Sequence, residues 1–143
     1  ACNTNEINTC NQEALNNVYD NTVVYTDSVL NGLIDTLKQQ NVNTALIYLS
    51  DHGESLGEKG LYLHGTPYAI APKEQTHIQM LMWANADFYQ QHGVQNTCLQ
   101  NMANQPEISQ DDLFHTVLGG LNVKTQVYNA QLDLFNACSQ GKA

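Results

Sequence analysis

The sequence has few basic side chains and no long apolar run. Only 5 Lys and Arg stand against 14 Asp and Glu, so the formal net charge is −9. A nucleic-acid surface needs clustered Lys and Arg to replace counterions, and this charge balance therefore excludes a nucleic-acid partner. It does not exclude phosphate chemistry, because a bound metal ion can supply positive charge locally.

The sequence also lacks any stretch of about eighteen apolar residues that could span a bilayer. Its polar start, Ala1-Cys2-Asn3-Thr4, has none of the features of a signal peptide. Because the chain starts in a Cys-containing turn and without an initiator Met, we expect it to be a piece of a longer protein.

A further absence is that of a Cys-x-x-Cys pair, the spacing typical of zinc–thiolate sites. The even count of four cysteines favours disulfides formed in an oxidising compartment. Four cysteines permit three pairings. We favour Cys2–Cys10, which closes a short loop, and Cys98–Cys138, which holds the tail. The alternative is a set of buried free thiols in a cytosolic protein.

Apolar periodicity predicts one domain, residues 1–143, built from helices and buried strands. Residues 11–40 place apolar side chains near the 3.6-residue period of a helix, with Asn11 as its N-cap. Two continuous apolar runs, 44–50 and 78–83, are typical of strands buried on both faces, as in a parallel sheet covered by helices. The Gly-containing segment between these runs is expected to be mostly loop.

Shorter helices are predicted after the second apolar run. Ser109, followed three residues later by Asp112, predicts a capping box at the start of one of them. The predicted elements are helices Asn85–Gly93 and Asn96–Asn104, a helix from Ser109 to Gly119-Gly120, and a tail, 124–143, with a short strand or turn. Together the elements predict an α/β fold, a layered sheet with helices on both faces. Ligands in such folds bind outside the carboxyl ends of the strands.

A carboxylate and an imidazole follow each other at the end of the first apolar run. Asp51 and His52 can both reach Zn²⁺, at about 2.0–2.2 Å, and Gly53 permits the turn that would bring them onto one ion. Glu54 is a candidate to orient a ligand or to contact substrate. His64 lies in the following loop, where it can reach back over the site. An isolated Asp-His pair is more often a surface turn.

The pair lies within the core Ser50-Asp51-His52-Gly53-Glu54-Ser55-Leu56-Gly57, in a stretch that runs from Ala45 to His77. This stretch closely resembles the lipid A phosphoethanolamine transferases, including the mobile colistin-resistance enzymes, of the alkaline phosphatase and sulfatase superfamily. Val18-Tyr19-Asp20-Asn21-Thr22 and the segment from Asp112 to Gly119 fit the same family, so the resemblance covers essentially the whole chain. It implies an alkaline phosphatase/sulfatase-like fold, of which residues 1–143 are the C-terminal portion of a periplasmic catalytic domain.

The resemblance implies a role for each residue of the candidate site. Asp51 and His52 would be zinc ligands. His64 would contact the substrate headgroup or a second zinc ion, and Glu54 would orient a neighbouring group or contact substrate. For the whole protein it implies a zinc-dependent transfer of phosphoethanolamine from phosphatidylethanolamine to lipid A, which lowers polymyxin and colistin binding, at the periplasmic face of the bacterial inner membrane.

Within this chain, the resemblance also covers Cys2 and Cys10, which match a disulfide near the same helix in the family.

The resemblance further implies parts that this chain does not contain. A zinc-ligating Glu, the Thr nucleophile, another His and a transmembrane region would all lie upstream of Ala1. The remainder of the same catalytic domain is therefore an expected partner, and we expect the chain alone to be inactive. The alternatives are a sulfatase or phosphoglycerol transferase of the same superfamily, or a non-catalytic secreted domain stapled by disulfides.

Overall fold

The computed structural model describes residues 2–103, 105 and 108–139. Within that part of the chain the fold is mixed α/β. The helices are α1 (Gln12–Lys38), α2 (Lys73–Thr76), α3 (Ala86–His92), α4 (Asn96–Met102), α5 (Gln110–Gly120) and α6 (Leu134–Ala137), and the strands are β1 (Ala45–Leu49), β2 (Ser55–Leu56), β3 (Tyr62–Leu63) and β4 (Met80–Ala84). None of the described helices has the length and apolarity that a membrane crossing requires.

The long helix α1 begins and ends close to where the periodicity predicts. The Asn11 side chain accepts a hydrogen bond from the backbone N–H of Ala14 at 2.8 Å, so the predicted N-cap is confirmed. Leu15 is the buried residue of this helix. Four of its other apolar side chains form an exposed stripe, namely Tyr19, Val23, Val29 and Leu33.

Strands β1 and β4 form a two-stranded sheet, and their direction differs from the expected parallel pairing. The N–H of Ser50, after β1, donates to the carbonyl of Gln79, before β4, at 3.2 Å. The N–H of Asn85, after β4, donates to the carbonyl of Thr44, before β1, at 3.0 Å. The end of each strand thus lies beside the start of the other, so the two strands run antiparallel. A continuous apolar run indicates burial of a strand but carries no information on its direction.

A second sheet lies inside the segment expected to be mostly loop. Strands β2 and β3 pair antiparallel, with Ser55 opposite Leu63 and Leu56 opposite Tyr62. The side-chain amide of Gln12 in α1 donates to the carbonyl of Leu56 at 2.8 Å, which fixes the hairpin to the start of the long helix.

The described chain divides into two compact units. The first unit contains the segments up to Asn41 and Ala45–Trp83. It therefore includes α1, α2, the hairpin of β2 and β3, and the turn that follows β1. Few residues of this unit are buried. They are Leu15, Ser55, Pro72 and Gln75, of which Ser55 and Gln75 are polar. The two buried polar side chains, Ser55 and Gln75, are hydrogen-bonded to each other.

The second unit contains Val42–Thr44 and the segment from Ala84 onward. Its apolar core includes Phe88 and Phe135, whose rings are 5.2 Å apart. Helix α5 begins with the predicted capping box of Ser109 and Asp112. The predicted end of α4 at Asn104 and the last residues of the tail, 140–143, lie outside the described residues.

The tail of the second unit is organised around Asp133. This buried side chain caps α6 by accepting from the N–H groups of Phe135 and Asn136, and it accepts from the Tyr128 hydroxyl at 2.6 Å. Burial, followed by the hydrogen bond and the negative charge of Asp133, raises the pKa of Tyr128 to about 12. Gly119 packs directly on the carboxylate, where a Cβ atom would find no space.

Both favoured disulfides are present in the structure. Cys2 is bonded to Cys10 in front of α1, and Cys98 in α4 is bonded to Cys138 after α6. The described residues include no free cysteine. The second bond closes a chain separation of 40 residues and holds the tail against α4 within the second unit.

Candidate metal and substrate site

The turn that follows β1 is closed by its own polar side chains. The Ser50 hydroxyl donates to the carbonyl of His52 at 2.7 Å, and the backbone N–H of His52 donates to Asp51 Oδ1 at 3.0 Å. These local bonds fix the chain where it leaves the strand, so Asp51 and His52 project from a defined turn.

Gly53 follows this turn in close contact with α2. Its N–H donates to the carbonyl of Gln75 at 3.0 Å. A Cβ atom built on Gly53 would lie 2.0 Å from the carbonyl oxygen of Glu74. Only a residue without a side chain permits this approach of two backbone segments.

The register of the hairpin brings Glu54 and His64 together. Because Ser55 pairs with Leu63, the residue before Ser55 and the residue after Leu63 are the next pair across the two strands. The Nδ1–H of His64 donates to Glu54 Oε1 at 2.7 Å. Leu63 has a φ of 61°, so the strand ends there and the chain turns at the histidine.

His52 completes a cluster with these two residues. The rings of His52 and His64 stack with centroids 3.8 Å apart and planes inclined by 30°. His52 Nδ1 lies 3.7 Å from Glu54 Oε1. One potential ligand atom from each of the three residues lies within 4.8 Å of the others, and the cluster is therefore a possible His/Glu metal site.

The hydrogen bonds of His52 define which ring nitrogen is available. Its Nδ1 lies 3.0 Å from the carbonyl oxygen of Gly53, and a carbonyl can only accept, so Nδ1 carries the proton. In the neutral imidazole Nε2 then has the free lone pair, the arrangement usual for a metal-binding histidine. Nε2 lies 3.8 Å from Asp51 Oδ2.

Distances separate two possible sets of ligands. Two atoms bound to one zinc ion at tetrahedral angles lie about 3.4 Å apart. The 3.8 Å between Asp51 Oδ2 and His52 Nε2 is close to that value, so these residues fit zinc as a ligand pair. The 2.7 Å between Glu54 and His64 is a hydrogen-bond distance and leaves no room for an ion between the two atoms. Glu54 Oε2, however, is buried without a hydrogen-bond partner among the described residues, and this oxygen remains able to meet a cation.

The cluster is open to solvent on one side. The exposed fraction of the side chain is 26% for Glu54, 38% for His52, 50% for His64 and 88% for Asp51. A charged group can therefore approach Asp51 and the histidine rings, whereas Glu54 lies behind them. This gradient fits a site in which Glu54 orients a neighbour and His64 meets a ligand.

Two buried polar residues beneath the cluster were not predicted from the sequence. Ser55 is fully buried and Gln75 is 6% exposed, and the Gln75 amide donates to the Ser55 hydroxyl oxygen at 2.9 Å. Ser55 lies in the core that carries the family resemblance but had no role assigned to it, and Gln75 lies outside that core. The only signal for Gln75 was its position in a short polar segment in front of an apolar strand, which does not predict burial.

Comparison with known proteins identifies close relatives. The family model described as Sulfatase matches residues 1–123. Phosphoethanolamine transferase EptA of Salmonella typhimurium is 50% identical over 139 residues, which are 96% of this chain and 25% of that protein. The chain thus spans about a quarter of the length of this curated relative.

Solved structures of high similarity come from Neisseria meningitidis. The soluble domain of its lipooligosaccharide phosphoethanolamine transferase A has a TM-score of 0.93 and 45% identity, covering 99% of this chain and 43% of that chain. The integral membrane protein, lipooligosaccharide phosphoethanolamine transferase A (EptA), has a TM-score of 0.92 and 45% identity, covering 99% of this chain and 27% of that chain. The partial α/β domain described above therefore matches part of each of these folds.

Proposed function

The chain belongs to the sulfatase family, and from that premise we propose that it is the C-terminal part of the catalytic domain of a zinc-dependent phosphoethanolamine transferase. The whole protein would move phosphoethanolamine from phosphatidylethanolamine to lipid A at the periplasmic face of the inner membrane, and would thereby confer polymyxin and colistin resistance. Support comes from the relatives, whose names state phosphoethanolamine transfer, and from a solved neighbour that is an integral membrane protein.

One observation carries the proposal for this chain. His52 has its Nδ1 bound to a backbone carbonyl, and its Nε2 lies 3.8 Å from Asp51 Oδ2 at the end of a strand. Asp51 and His52 would therefore hold zinc between an oxygen and a nitrogen ligand. Bound zinc would supply Lewis-acid stabilisation of phosphoryl oxygens and activation of a hydroxyl nucleophile.

The Glu54–His64 pair would act on the substrate. Glu54 accepts from Nδ1–H of His64 and so fixes the ring, leaving Nε2 to accept from the ammonium group of the headgroup or, in a doubly protonated ring, to donate to a phosphoryl oxygen. The ring of His52 stacks on that of His64, which places the substrate contact beside the zinc ligand. Positioning of this kind accounts for much of the rate enhancement in phosphoryl transfer.

The rest of the same catalytic domain would complete the site. Two ligands do not make a four-coordinate zinc site, and we expect further ligands and the nucleophile to come from the rest of that domain. The exposed apolar stripe of α1, with Tyr19, Val23, Val29 and Leu33, is a surface that such a partner would cover. We accordingly expect the purified chain to transfer no labelled phosphoethanolamine.

The test uses the whole protein that contains this chain. We expect Asp51→Ala and His52→Ala each to lower the zinc content, measured by mass spectrometry of the metal. Each should also reduce transfer from headgroup-labelled phosphatidylethanolamine by about 1000-fold or more, since a ligand and its metal are lost together. Asp87→Ala is the matched control, because Asp87 is an exposed carboxylate on α3 of the second unit.

A third variant separates the two possible ligand sets. Glu54→Gln should keep the zinc content if Asp51 and His52 are the ligands, and lose it if His52, Glu54 and His64 are. Full zinc content and activity in both Asp51→Ala and His52→Ala would contradict the proposal. Comparing labelled phosphatidylethanolamine with phosphatidylglycerol and a sulfate ester distinguishes the transferase from a phosphoglycerol transferase or a sulfatase of the same family.

A further inference from the structure

Gln75 is hydrogen-bonded to three residues next to the candidate site: Gly53, Ser55 and Thr66. Its carbonyl accepts from the N–H of Gly53, the residue between His52 and Glu54, at 3.0 Å. Its side-chain Nε2 donates to Ser55 Oγ at 2.9 Å, and its Oε1 accepts from the N–H of Thr66 at 3.2 Å.

These three bonds hold the residues that flank the cluster. Gly53 and Ser55 lie on either side of Glu54, and Thr66 lies two residues after His64. The hairpin strands are only two residues long, so the ladder alone restrains this pair weakly. The Gln75 side chain spans the gap between Ser55, the residue that follows Glu54, and the loop that carries His64.

The chemistry of the amide suits both partners at once. The N–H of Thr66 needs an acceptor and Ser55 Oγ receives a donor, and an amide provides both groups without charge. Gln75 is 6% exposed and Ser55 is fully buried, so water cannot replace the bond between them. Removal of the amide would leave the N–H of Thr66 without this acceptor and release the loop that follows His64.

We propose that Gln75 is a positioning residue that sets the separation of Glu54 and His64, and through it the placement of the His64 ring for substrate. The inference rests on the proposed function for the identity of that substrate. Gln75 acts through its neighbours and does not itself contact zinc or the phosphoryl group.

The test replaces Gln75 in the whole protein. Gln75→Met keeps the length of the side chain but makes neither hydrogen bond. We expect it to lower kcat/KM with labelled phosphatidylethanolamine by about 10- to 100-fold, since displacement of a positioned group by about 1 Å costs up to about 100-fold in rate. It should weaken binding of O-phosphoethanolamine, measured by calorimetry, in the same direction and leave the zinc content unchanged. Gln79→Met is the matched control, because Gln79 is exposed and its bond to Ser50 uses only its backbone carbonyl.

A second pair of variants distinguishes positioning from general stability. In a His64→Ala background, Gln75→Met should lower kcat/KM by less than about threefold, because the group that Gln75 positions is already absent. A merely structural residue would cause the full loss in both backgrounds. If Gln75→Met does not fold, Ser55→Ala replaces it in the same comparison of wild-type and His64→Ala backgrounds. Ser55→Ala removes the hydroxyl oxygen that accepts from the Gln75 amide.

The outcomes separate this inference from the proposed function. Transfer by the wild type establishes the function, and its absence refutes the function whatever the variants do. Gln75→Met activity and O-phosphoethanolamine binding close to those of the wild type would overturn the positioning role alone. Equal losses in the wild-type and His64→Ala backgrounds would overturn it as well.

Discussion

Gly53→Ala tests the close approach on which the geometry of the site depends. The backbone of Gly53 has no left-handed φ, so alanine is allowed by conformation and excluded only by space. Its Cβ would lie 2.0 Å from the Glu74 carbonyl oxygen, 3.0 Å from the Glu74 carbonyl carbon and 3.3 Å from Gln75 Cα. All three are backbone atoms and cannot rotate away.

The expected size of the effect follows from the shift that the new methyl group requires. Real Cβ atoms essentially never approach a heavy atom closer than 3.0 Å, so the two segments must separate by about 1 Å. Overpacking of this kind destabilises by about 1–3 kcal/mol. The same movement breaks the bond from Gly53 N–H to the Gln75 carbonyl, worth about 1 kcal/mol net. We expect the free energy of unfolding to fall by about 2–4 kcal/mol.

The assay is urea unfolding of the whole protein, followed by circular dichroism. With a slope of about 2 kcal/mol per molar urea, the midpoint should fall by about 1–2 M. Gly32→Ala is the control, because Gly32 lies within α1 and a methyl group added there would have no neighbouring atom within 4 Å. That change should raise stability by about 0.5–1 kcal/mol through helix propensity. An unchanged midpoint for Gly53→Ala would refute the steric argument.

Two further predictions concern the second unit and the disulfides. Replacing both cysteines of Cys98–Cys138 with alanine should lower the free energy of unfolding by about 4 kcal/mol, and replacing those of Cys2–Cys10 should lower it by about 2.5 kcal/mol. The difference arises because the first bond closes a chain separation of 40 residues and the second one of 8. Equal urea midpoints for the two variants would contradict this ranking. Tyr128→Phe should cost about 1.5–3 kcal/mol at pH 7 by removing the bond to Asp133. Since folding raises the pKa of Tyr128 from 10.0 to about 12, the stability that it contributes is present below pH 10 and lost as pH rises towards 12. The variant should therefore show a smaller fall in urea midpoint across that interval, and a fall equal to that of the wild type would count against the reasoning.

Local signals in the sequence predicted several elements well. Asn11 capping α1 and the Ser109–Asp112 box opening α5 act within one turn of chain, so they can be recognised without knowledge of the rest of the fold. The position of the Asp51-His52 pair just after a strand was also predicted from local sequence and is confirmed, whereas its role as a zinc-ligand pair stays a prediction.

Features that depend on distant parts of the chain were not predicted. The antiparallel direction of β1 and β4 is set by the path of the connection, which an apolar run does not encode. The hairpin of β2 and β3 escaped detection because strands of two residues show no alternation. Gln75 was missed because its role arises from partners 9, 20 and 22 positions away, at Thr66, Ser55 and Gly53.

The register of the hairpin also limits how this chain can vary in length. Glu54 and His64 face each other because they lie directly beyond the Ser55–Leu63 pair of the antiparallel strands. A residue inserted between Leu63 and His64 would shift the histidine by one position to the opposite face of the ribbon, whereas a residue inserted in the turn, 57–61, leaves the pairing unchanged. Natural variation in length, and any engineered insertion, should therefore be confined to the turn.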